Sequence, residues 1–219
     1  MKTCVKFCGV RTAEELALVP EGGAAGFVVE VEGNPRSVQI DEVPPLIERL
    51  GSGAEAWAVV VNPTADLVHR LYDEAGVDRV QVYGSLPSGL EFLEIHHLVP
   101  SIPIAPGTDP IGEVPKIPPA EDYPRLHLDA SADALDSGSA VRPEWGMCAR
   151  LVDSHPGRKF TLAGGLTPEN VADGLRTVRP WGVDVSAGVE SAPGRKDLER
   201  MRAFVAAVEA FEASERPGG

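Results

Sequence analysis

The stretch "VKFCGVRTAEEL", Val5–Leu16, holds a strand, a turn and the start of a helix in a dozen residues. Apolar Val5 and Phe7 alternate with Lys6 and Cys8, which is the period of a β-strand. Gly9 breaks the run. Thr12 then stands three residues before Glu15, the spacing of a capping box, and helical spacing follows. Within the strand, Val5 and Phe7 share one face, and Cys4, Lys6 and Cys8 share the other. A thiol and an ammonium therefore look the same way at the point where a strand becomes a turn.

The same unit recurs along the chain. Short β-branched runs fall at 4–10, 26–31, 56–61, 79–82, 98–104, 126–129, 160–163 and 183–186. Helical spacing lies between and after them at 13–19, 43–50, 65–75, 87–94, 142–152, 168–178 and 196–212, with a degenerate element expected at Ile111–Val114. Alternating strands and helices predict parallel βαβ units, and eight of them in 219 residues predict a single-domain α/β fold, a (β/α)8 TIM barrel. The barrel is expected over residues 1–213, with 214–219 as a flexible tail. Thr167-Pro168-Glu169 reads as a cap, a proline at the first helical position and a first-turn acid. A doubly wound sheet is disfavoured, since no Gly-rich dinucleotide loop follows the first strand and the phosphate-like glycines come late.

Composition narrows the function classes. The net charge of −13 disfavours nonspecific binding to nucleic acid or anionic lipid. No apolar stretch approaches the roughly 18 residues of a membrane span, and the N-terminal run is too short for a signal sequence, so a cytoplasmic protein is expected. Lysine is scarce: five among twenty basic residues, at positions 2, 6, 116, 159 and 196. An acidic, Lys-poor surface of this kind resembles proteins of salt-rich cytoplasm, the alternative being an ordinary acidic protein. Three cysteines, Cys4, Cys8 and Cys148, offer no disulfide, because Cys4 and Cys8 on one strand face stand about 13 Å apart. No metal site is expected, since His96-His97 would face opposite sides of a strand.

In a barrel the C-terminal strand ends converge on one mouth, where active sites sit. Cys8, Asn62, Tyr83, Asp129 and Asp184 occupy such ends, with Asn34-Pro35-Arg36 following the second strand. Lys6 inside a barrel needs a carboxylate, and Asp184 is the expected partner. Gly164-Gly165 and Ser186-Ala187-Gly188 end the last two strands, where loop N–H groups commonly form a phosphate site.

Taken together these segments resemble the phosphoribosylanthranilate isomerase family. "VKFCGVRTAEEL" is similar to its Lys-Ile-Cys-Gly-Ile opening. "GFVVEVEGNPRSV", "VQVYG", "LHLDAS", "LAGGLTPENV" and "GVDVSAGVESAPGRKD" resemble further family segments in the same order, from Val5 to about Val208. The resemblance implies an Amadori rearrangement of a small phosphorylated substrate in tryptophan biosynthesis, with no cofactor. It implies Cys8 as general base and Asp129 as general acid, Arg36 against the anthranilate carboxylate, and Asp184 and Lys6 on the substrate. It implies that Gly164, Gly165, Ser186, Ala187 and Gly188 hold the phosphate. Lys6 and the loop dipoles are expected to lower the Cys8 pKa.

The chain also departs from the family pattern. Asp136-Ser137-Gly138-Ser139-Ala140 stands where a Gly-Gly-Thr-Gly lid is usual, and Tyr83 replaces a histidine. Two other readings remain open at this point. One is a barrel with different phosphosugar chemistry, of the indole-glycerol-phosphate synthase or epimerase type. The other is a non-catalytic phosphosugar binder. The acidic last helix favours a monomer, with a dimer left open.

Overall fold

The computed structural model describes residues 2–104, 118–130 and 145–215. The predicted runs form eight parallel strands: β1 (Cys4–Cys8), β2 (Ala24–Val29), β3 (Glu55–Val61), β4 (Arg79–Tyr83), β5 (Leu98–Pro103), β6 (Arg125–Asp129), β7 (Lys159–Ala163) and β8 (Gly182–Val185). Each pairs with the next, and β8 and β2 both pair with β1, so the sheet closes on itself. The chain is a single-domain (β/α)8 barrel, as the alternation predicts. Closure sets Lys6 in register with Ala24 on one side and with Asp184 on the other.

Seven helices are described: α1 (Ala13–Leu16), α2 (Val43–Ile47), α3 (Ala65–Asp73), α4 (Phe92–His97), α5 (Trp145–Ser154), α6 (Val171–Val178) and α7 (Leu198–Glu215). The capping box forms at α1, where Thr12 Oγ1 accepts from Glu15 N at 3.3 Å and Glu15 Oε2 accepts from Thr12 N at 3.2 Å. The segment at Ile111–Val114, the lid at 136–140 and residues 216–219 lie outside the described residues.

Side-chain parity sorts two interiors. Outward residues such as Phe7, Phe27, Leu126 and Phe160 pack under the helices, with Phe7 edge-on to Phe204 of α7 at 6.1 Å. Inward residues fill the barrel. Trp57, Ala24 and Val99 supply its small apolar cluster. At the N-terminal end Glu55 Oε2 accepts from Arg125 at 2.6 Å and from Trp57 Nε1 at 2.9 Å, and Arg125 lies 4.7 Å from the Trp181 ring.

Three local expectations change. His96 and His97 end helix α4 rather than occupying a strand. Helix α6 begins at Val171, three residues after Pro168, because Asn170 Oδ1 first accepts from Thr167 N at 2.8 Å and closes a turn. Lys196 is not helical: Arg195–Lys196 pairs antiparallel with Glu190–Ala192 in a small hairpin ahead of α7. Among the described residues no helix is long and apolar enough to cross a membrane.

Candidate active site

The Lys6 ammonium, 0% exposed, donates to Asp184 Oδ2 at 2.7 Å, the pairing its burial demands. His127 Nε2 meets the same oxygen at 3.0 Å. Burial works against ionisation of Asp184, yet Lys6 and His127 hold its carboxyl below the usual carboxylate range. Burial likewise works against Lys6, and Asp184 and Cys8 outweigh it, so the ammonium is retained.

Above this pair a cavity opens at the C-terminal strand ends. Its lining brings together Cys8, Arg36, Asp129, Asp184, Gly164, Gly165, Ser186, Ala187 and Gly188, along with Tyr83. Of the predicted site residues only Lys6 is off the lining. It sits below, acting on Asp184 and Cys8. Asp129 is 4% exposed, and its Oδ2 accepts from the Tyr83 hydroxyl at 2.9 Å.

The Cys8 thiol corrects an expectation. Burial pushes it up, and that outweighs Lys6, Lys196 and Arg36, which pull it down, because Asp184 adds negative charge beside it. The Lys6 charge is already spent on Asp184, so it lowers the thiol less than its position on the same strand face suggests.

The loops complete the wall. Gly164 has φ +92°, a conformation suited to glycine, and a Cβ on Gly188 would run into the Leu166 carbonyl oxygen. The loops after β7 and β8 are thereby pressed backbone to backbone. Ser186 Oγ donates to the Cys8 carbonyl at 3.2 Å, tying the β8 loop to the end of β1.

Arg36 is engaged on its own account. Its Nε and Nη2 each donate to Glu190 at 2.8 Å, and Lys196 Nζ donates to Glu190 Oε1 at 2.8 Å and to the Ser186 carbonyl at 3.1 Å. Burial opposes the Glu190 charge, but Arg36 and Lys196 hold its carboxyl below the usual range. Among the described residues no group of three or more His, Cys, Asp or Glu side chains is disposed to hold a metal ion.

The model of the family described as N-(5'-phosphoribosyl)anthranilate isomerase matches residues 5–207. The chain belongs to the phosphoribosylanthranilate isomerase family. It is an isomerase. Among its relatives, the N-(5'-phosphoribosyl)anthranilate isomerase of Methanothrix thermoacetophila is 36% identical over 208 residues, covering 93% of this chain and 96% of that one. The crystal structure of TrpF from Jonesia denitrificans is 29% identical, with a TM-score of 0.69 over 96% of this chain and 98% of that one. A phosphoribosyl anthranilate isomerase in complex with reduced 1-(o-carboxyphenylamino)-1-deoxyribulose 5-phosphate shares the fold at a TM-score of 0.70, with 20% identity, over 95% of this chain and 99% of that one.

In this isomerase, sequence reasoning missed Glu190, Lys196 and His127 as parts of the site. Glu190 and Lys196 were in view within "GVESAPGRKD", but helical spacing from 196 onward absorbed Lys196 into the last helix. His127 shares a strand face with Asp129, and that parity was the available signal.

Proposed function

We propose that this isomerase converts N-(5-phosphoribosyl)anthranilate into 1-(2-carboxyphenylamino)-1-deoxyribulose 5-phosphate, as a cytoplasmic step of tryptophan biosynthesis. The observation that carries the reading is one cavity wall holding a thiol on β1, a carboxyl on β6 and two glycine loops after β7 and β8. Asp129 acts as general acid and gives its proton to the furanose ring oxygen. The C1–O bond breaks, and the nitrogen lone pair forms a Schiff base. Cys8 acts as general base and takes the C2 proton, whose bonding pair forms the C1–C2 double bond of an enolamine. Tautomerisation of that enolamine to the ketone completes the rearrangement. Both transfers are internal and need no electron acceptor.

Other roles follow the same division. Gly164, Gly165, Ser186, Ala187 and Gly188 hold the phosphate through backbone N–H groups. Asp184 accepts from the substrate's hydroxyl or amine. Arg36, preset by Glu190, meets the anthranilate carboxylate, for which a guanidinium fork is well matched. Lys6 serves substrate binding through Asp184. Exposed Glu209 and Glu215 on α7 disfavour an apolar contact there, and a monomer is the assembly proposed.

Replacing Cys8→Ser or Asp129→Asn is expected to lower turnover about a hundredfold to ten-thousandfold with the fold intact. Anthranilate fluorescence follows the conversion and circular dichroism checks the fold. Full activity in either variant would refute its assigned role.

A further inference from the structure

We propose that Tyr83 is a positioning residue for the isomerase reaction, holding the Asp129 carboxyl in the orientation from which it delivers its proton. The proposal rests on the reading of Asp129 as the acid. Tyr83 closes β4 at the cavity rim, and its hydroxyl donates to Asp129 Oδ2 at 2.9 Å. An aspartate has a broad terminal torsion, so its carboxyl swings unless a neighbour fixes it. Proton transfer needs that group within hydrogen-bond reach and correctly aimed. A phenol on a rigid ring supplies such a constraint.

The phenol is itself constrained. Its ring stands edge-on to the His127 ring, with centroids 5.9 Å apart and planes at 69°. His127 is pinned at Asp184 Oδ2, and Asp184 is pinned by Lys6. A continuous set of contacts thus runs from Lys6 on the barrel floor through Asp184, His127 and Tyr83 to Asp129 at the rim. Burial, the largest cause, pushes the Tyr83 phenol well above its ordinary value, so the hydroxyl keeps its proton and stays a donor. Once Asp129 has given up its proton, the same bond becomes a charge-assisted one to the new carboxylate. The residue at this position is also where the chain departs from the His of the family motif.

The test compares Tyr83→Phe, which deletes only the hydroxyl, with the native protein and with Asp129→Asn. Turnover is expected to fall about tenfold to a hundredfold, the effect of losing a hydrogen bond to a charged group, while KM stays within about twofold. The Asp129 13Cγ resonance, assigned by its disappearance in Asp129→Asn, is expected to move in Tyr83→Phe. A tyrosine that merely packs would leave both unchanged. Should Asp129→Asn abolish turnover while Tyr83→Phe keeps native kcat, or leaves the resonance in place, the positioning role is overturned and the acid assignment stands. Should Asp129→Asn keep full turnover, the acid assignment fails whatever Tyr83→Phe does. A shared unfolding midpoint for Tyr83→Phe and the native protein excludes misfolding as the cause.

Discussion

Three thiols in this chain face three different environments, and only one of them is placed to react. Cys148 and Cys4 are buried, and Cys4 is pushed up to about 12, first by burial and next by Glu55. Cys8 opens onto the cavity, and its thiol is raised by the same cause with three cations opposing. Only the thiolate is a nucleophile. Alkylation of Cys8 by iodoacetamide, read by peptide mass, is therefore expected to accelerate with pH through and beyond the ordinary thiol range, while Cys4 and Cys148 stay unmodified. A rate that levels off below pH 7 would show a thiol lowered in the empty site. The direction was not legible in the sequence. Lys6 on the same face argued for a lowered thiol, but the outcome depends on how far Asp184 offsets that ammonium and on how little water reaches the sulfur.

At the scale of elements, the turns after β7 and β8 act as one unit. A Cβ at 188 meets backbone rather than a movable side chain, so the loops must part to admit it. Gly188→Ala is expected to cost about 1–3 kcal/mol and to raise KM more than it lowers kcat, as chemical denaturation and steady-state rates would measure. What the sequence revealed at this scale follows from period. All eight strands were legible because alternation is local, and α1 because its capping box spans four residues. The two-residue strand at Arg195–Lys196 has no period of its own, and its partner residue Glu190 also clamps Arg36, 154 residues earlier. Contacts of that span leave no trace in spacing. The closing glycines and Asp184 were readable as candidates because the fold class assigns strand ends to one mouth and because their segments resemble those of the family.

For the whole molecule, charge sets the conditions of stability. A net charge of −13 repels itself in the folded state, and salt screens exposed charges beyond about 10 Å at 0.1 M. At pH 7 the unfolding midpoint is expected to rise between low salt and 1 M NaCl, as differential scanning fluorimetry would record. A falling midpoint would exclude self-repulsion as the dominant charge effect. pH acts through the buried pairs. Asp184, Glu55 and Glu190 are held low in the folded protein, so their stabilisation is present above the unfolded carboxylate range near pH 4 and fades as pH falls below it. Lys6 is held high, so its share is present below its unfolded value and is lost only as pH rises through the folded one.

The bond between Lys6 and Asp184 also has a consequence in time. The two residues are 178 positions apart, and they meet on the strands that close the barrel. A chain emerging from the ribosome makes its buried cation 178 residues before its counterion. Until residue 184 has left the exit tunnel the first strand has neither its last neighbour nor a charge to answer its ammonium. Closing the barrel must therefore bring its first and last strands together before the Lys6 ammonium can leave water with its charge paired.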